Sequence, residues 1–71
     1  MDKFKIGDRV RAIIGYDGNR HIIGKLGTVV RISPYMIGVK FDKYVEGHDL
    51  CGTVDNGYGW WCPPSVLIRT Q

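Results

Sequence analysis

No stretch of this 71-residue chain repeats its apolar side chains at the helical period, which argues against a helical fold. No apolar run approaches the roughly 20 residues that a membrane-spanning helix needs. The opening Met1-Asp2-Lys3-Phe4-Lys5 is not followed by the apolar segment of a secretory leader. No membrane partner is therefore expected. Cysteine is scarce: Cys51 and Cys62 stand eleven positions apart and do not make a secreted disulfide framework. We expect a cytoplasmic protein with reduced thiols and, from the initiator methionine, a whole small gene product. Internal repeats and low-complexity tracts are also missing, as are the paired cysteine knuckles of structural zinc sites.

What is present is a globular composition. At 44% hydrophobic and 24% charged, the chain is unlike a disordered one. Its length allows one domain spanning 1–71, of a size that buries only about 60% of its unfolded surface. So small a core leaves marginal stability, to which a homo-oligomer would add burial. It also leaves little room for a complete buried active site, so a non-enzymatic binding role is expected.

Net charge is +3, unevenly laid out. Residues 1–41 carry eight basic side chains against three acids. Residues 42–56 carry Asp42, Glu46, Asp49 and Asp55 against Lys43 alone. A basic body with one acidic loop disfavours nucleic acid along that loop and permits it elsewhere.

Ten glycines and three prolines punctuate short β-branched runs, the pattern of an all-β fold. Strands are predicted at Asp8 to Ile14, Gly27 to Ile32, Ile37 to Phe41, Tyr58 to Cys62 and Leu67 to Arg69. Val10, Ala12, Ile14, Val39, Phe41 and Leu67 are the predicted core. The inward face of the second run stays open, because Val29 and Val30 fall on opposite sides and a bulge would change the phase. Pro63 to Val66 cannot continue a ladder and reads as a single 3₁₀ turn. Two connections are long: Gly15 to Lys25, with Asp17-Gly18-Asn19 as its turn signal, and about 43–56, which has no clear period. A loop of that length in so small a domain is usually functional or mobile.

The densest cluster of chemistry is Gly57-Tyr58-Gly59-Trp60-Trp61-Cys62-Pro63-Pro64. Successive strand side chains point to opposite faces, so Trp60 and Trp61 separate unless a bulge intervenes. Cys62 shares a face with Trp60, and cysteine is among the most buried residue types. Trp60 is therefore expected inward and Trp61 outward, beside the 43–56 loop. An exposed indole next to glycine and proline suits the grip of a flat or apolar partner. Protein or small-ligand binding would use Trp61, Trp60 and Tyr58, with His48, Asp49 and Arg20 supplying polar contacts.

His48 and Cys51 have chelating spacing, and Cys62, Asp49, Asp55 or His21 would have to complete a ligand set. One short-range pair is not a closed site, so the chain is expected to fold without metal and to need no cofactor. Cys51 or Cys62 with His48 or His21 has the residue types for nucleophilic catalysis, but no local signature marks them.

Three segments carry a family resemblance: Ile6-Gly7-Asp8-Arg9-Val10, Gly24-Lys25-Leu26-Gly27-Thr28-Val29-Val30 and Ile37-Gly38-Val39-Lys40-Phe41-Asp42. With five short strands and a 3₁₀ turn before the last, the chain resembles a small SH3-like barrel of the KOW type. The resemblance implies a five-stranded barrel and an RNA or polymerase partner. A nucleic-acid-binding mode would engage phosphates through Lys3, Lys5, Arg9, Arg11, Arg20 and Lys25 and stack bases on Tyr16, Tyr35, Trp60 or Trp61. The C-terminal half, Gly47-His48-Asp49-Leu50 and then the Gly-Trp-Trp run, is similar to small uncharacterised phage and Firmicutes proteins. In a phage, such a domain would act as an inhibitor, its partner a host protein or a nucleotide signal. The tail Trp60 to Leu67 is also similar to the end of signalling SH3 domains, where a tryptophan and a Pro-Ser turn form the proline-peptide groove.

Overall fold

The β-branched runs pair because each lays one set of alternating side chains on a common apolar layer. The computed structural model describes residues 4–70. It contains β1 (Arg9–Ala12), β2 (Leu26–Ile32), β3 (Ile37–Phe41), β4 (Gly59–Cys62) and β5 (Leu67–Arg69). All neighbours are antiparallel, in one sheet of order β4-β3-β2-β1-β5. The only helical element among the described residues is a 3₁₀ turn at Pro64–Val66, where the Val66 N–H donates to the Pro63 carbonyl at 3.1 Å. Among the described residues no helix is long and apolar enough to cross a membrane.

The inward face of β2 is decided by a bulge. Val29 pairs with Val39, but the next pair is Arg31 with Gly38, so Val30 is the extra residue. Val29 lies fully in the core while Ile32, beyond the bulge, is exposed.

Val10, Ala12, Val39, Phe41 and Leu67 are buried as predicted, but Ile14 is 54% exposed. The strand pattern fails there because β1 runs out of partners. Ala12 pairs with Leu67, the first residue of β5, and Arg11 pairs with Leu26, the first residue of β2. Beyond Ala12 the chain leaves the sheet, and the phase that would point Ile14 inward ends with it. The core is completed by side chains from the two long connections. Ile22, from the first, and Val45, from the second, are fully buried in the core with Cys62 and Val66.

The first connection turns at Asp17-Gly18, as its sequence suggests. Both residues have positive φ, 54° and 83°, and the Tyr16 and Asn19 backbones exchange hydrogen bonds across the turn. Asn19 is buried. Its Nδ2 donates to the Val45 carbonyl at 3.0 Å, and its Oδ1 accepts the His21 N–H at 2.9 Å. One amide thus ties the two long connections together.

Truncating Phe41 to alanine should cost about 3–5 kcal/mol, because it leaves a void in the core that the surroundings fill only in part. Ile14→Ala should stay within about 0.5 kcal/mol of the parent. Urea unfolding of the two variants measures both, and comparable losses would contradict the core described here.

Candidate binding site

β4 lies at the edge of the sheet, and its alternation separates the two indoles. Trp60 pairs with the core residue Val39 and packs against the core cluster. Trp61 pairs with Gly38 on the other face. A methyl group at Gly38 would lie 3.2 Å from the Trp61 ring and 3.4 Å from Leu50, so both cover that glycine. The inward and outward assignments follow the alternation, yet both indoles are half-buried. The reason is the 43–56 loop, which straddles the strand edge. It lays His48 over the inner indole and Leu50 beside the outer one.

Trp60 is held on two sides. Its Nε1 donates to the Tyr16 carbonyl at 3.0 Å, and the His48 ring lies 4.9 Å from the indole at a tilt of 34°. His48 Nδ1 accepts the Leu50 N–H at 3.1 Å, which orients the imidazole and occupies that nitrogen. Beside Trp60 an open groove of about 200 Å³ is lined by Asp17, Gly18, Asn19, His21 and Glu46. His21 Nε2 and the Glu46 carboxylate are 3.2 Å apart across it.

The remaining predicted contacts do not converge on that groove. Tyr58 packs edge-to-face on Tyr44, with ring centres 5.9 Å apart. Asp49 is exposed, and its carbonyl, not its carboxylate, is engaged, by the Thr53 and Val54 N–H groups. Arg20 is exposed on the first long connection and does not line the groove. The sequence reading missed Asp17, Asn19 and Glu46 as groove residues. The Asp-Gly-Asn turn was the available signal for two of them, and nothing local marks Glu46.

The basic residues form a separate surface. Arg9 and Arg11 point outward from β1, away from Val10 and Ala12. Arg9 is bound by Asp42 through two contacts, 2.9 and 2.6 Å, and also donates to Thr28 Oγ1. Arg11 donates to the Gly24 carbonyl at 2.9 Å. Lys25 is half-buried and Lys5 exposed, while Lys3 lies outside the described residues. Tyr16 is not on this surface; it packs against the core and supports Trp60. Of the stacking candidates, Tyr16 and Trp60 pack on the inner side of the sheet, whereas Trp61 shares the outward side with Arg9 and Arg11 and Tyr35 is exposed.

Cys51 is exposed and Cys62 buried, and neither is in a disulfide. Among the described residues no group of three or more His, Cys, Asp and Glu side chains is placed to hold a metal ion. Burial pushes the Cys62 thiol up to about 12, so it stays protonated at neutral pH. Compared with protein-family models, curated proteins and solved structures, the chain matches none.

The two thiols should react very differently. At mildly alkaline pH, Cys51 should be modified rapidly by a disulfide reagent and Cys62 only on unfolding. The folded Cys62 thiol keeps its proton while the unfolded one ionises, so stability should fall as pH rises from about 9 towards about 12. Equal labelling rates in native buffer would contradict the burial of Cys62.

Proposed function

We propose that this protein is a non-enzymatic binding module, an SH3-like barrel of the KOW type that recognises a protein segment or small ligand at the Trp60 groove with the 43–56 loop as one wall. The strand order β4-β3-β2-β1-β5, with a 3₁₀ turn before the last strand, supports the barrel. The observation that carries the function is the convergence of both long connections on one half-buried indole. Tyr16 from the first bonds the Trp60 N–H, His48 from the second covers its ring, and Asn19 bonds the two connections to each other. A preorganised aromatic floor with polar walls is the usual anatomy of a recognition site. Asp17 and Glu46 on those walls favour a partner that brings a cation. Trp61 is demoted from the centre of recognition because the groove opens beside Trp60. Two free thiols fit a reducing compartment such as the cytoplasm.

The test uses the isotope-labelled protein and the strongest binder selected from a random peptide library. Chemical shifts should move at Asp17 to His21, at Glu46 to His48 and at the Trp60 indole N–H. Glu46→Lys should weaken binding by about tenfold, the loss of one favourable charge contact and its replacement by a repulsive one. Shifts confined to the outward face of β1 to β3, or an affinity unchanged by Glu46→Lys, would sink this assignment.

A further inference from the structure

The outward face of β1, β2 and β3 carries a second cavity, independent of the Trp60 groove. It measures about 180 Å³ and is lined by Arg11, Gly24, Lys25, Leu26, Asp42 and Lys43. Strand register explains why charge gathers there. Arg9 pairs with Thr28 and Thr28 with Lys40, which places two cations in one row across three strands. In the next row Arg11 pairs with Leu26, whose carbonyl accepts the Asp42 N–H at 3.0 Å. Five cations, Arg9, Arg11, Lys25, Lys40 and Lys43, thus gather on this side of the sheet, with Asp42 the one acid among the described residues that line the cavity.

That carboxylate is already spent. Asp42 is bonded by both terminal nitrogens of Arg9. Its carboxyl is held below the usual carboxylate range, first by the hydrogen bond from Arg9 and then by the charges of Arg9, Lys40 and Lys43. One acid neutralises one of the five cations. Arg11 spends one N–H on the Gly24 carbonyl and keeps the rest of its fork. Lys25 and Lys43 stand on the cavity wall, and among the described residues that line it Asp42 is the one acid.

We propose that this cavity is a binding site for a phosphoryl oxyanion, held by Arg11, Lys25 and Lys43 over Leu26. Arg11 supplies directional donors and the two lysines supply charge, the usual division of labour at phosphate sites. The floor is aliphatic and has no aromatic side chain, so the site takes the phosphate group itself and offers no platform for a base. The phosphate could belong to a small phosphorylated molecule or to a nucleic-acid backbone. The chemistry is shared, and the experiment separates the sources.

The probe is sodium pyrophosphate, titrated into the isotope-labelled full-length protein against sodium chloride at matched ionic strength. Saturable shifts are expected at Gly24, Lys25, Leu26 and Lys43. The double variant Lys25→Gln/Lys43→Gln should bind about tenfold more weakly, as two partly exposed ion pairs would predict. Its unchanged thermal midpoint would show that the loss is not unfolding. A single-stranded oligonucleotide is titrated in parallel. If it binds at the same residues and pyrophosphate competes with it, the phosphate comes from a nucleic acid; if only pyrophosphate binds, from a small molecule. Shifts that do not saturate, shifts unaltered in the double variant, or an oligonucleotide that binds while pyrophosphate does not, would each overturn the site.

Discussion

The backbone of His48 exchanges both of its hydrogen bonds with Gly59, each at 2.8 Å, and much of this molecule depends on that exchange. Without it the edge strand β4 would begin with an unpaired donor and acceptor at Gly59. The approach requires two residues without side chains. A Cβ on Gly47 would fall 2.1 Å from the Gly59 carbonyl oxygen, and one on Gly59 would fall 2.6 Å from Leu50. With both absent, the 43–56 loop closes against the strand. Val45 enters the core on one side of the edge, and Leu50 is buried on the other. The loop accepts left-handed backbone at Leu50 and Cys51, with φ of 52° and 59°, a cost of order 1 kcal/mol each. Full burial of the Leu50 side chain offsets it.

The candidate site inherits its rigidity from this edge. His48 can cover Trp60 only because its backbone is fixed to Gly59, and Asn19 reaches the Val45 carbonyl only because Val45 is anchored in the core. The groove is therefore a consequence of how an edge strand is protected, with both long connections recruited to it. Charge follows the same geometry. Outward positions on β1 and β3 hold Arg9, Arg11 and Lys40, whereas Asp17 and Glu46 sit on the connections that flank Trp60. One sheet thus separates a cationic face from an acid-lined groove.

Much of the architecture was legible in the chain. Gly-punctuated β-branched runs marked all five strands within a residue or two, and Pro63-Pro64 marked the 3₁₀ turn, because these signals act over a few neighbouring residues. Alternation separated Trp60 from Trp61, and the burial preference of Cys62 on the Trp60 side ordered them. The failures share a cause. Ile14 followed the period of β1 but lies past the point where partner strands end, and strand length is set by neighbours distant in sequence. Val45 and Leu50 lie in a segment without period, so no local pattern could announce that both are fully buried.

The sequence by itself determined the class of fold, the phases of β1, β3 and β4, the Asp17-Gly18 turn and the concentration of acids after residue 41, all properties of neighbours along the chain. Only the tertiary structure decided where β1 stops, which indole adjoins a groove, and that Tyr16 and Arg9 belong to opposite faces. Those outcomes rest on contacts between residues such as Asn19 and Val45, Arg9 and Asp42, or Trp60 and Tyr16. Such contacts span roughly 25 to 45 positions in sequence, and packing, not periodicity, selects which of them can form.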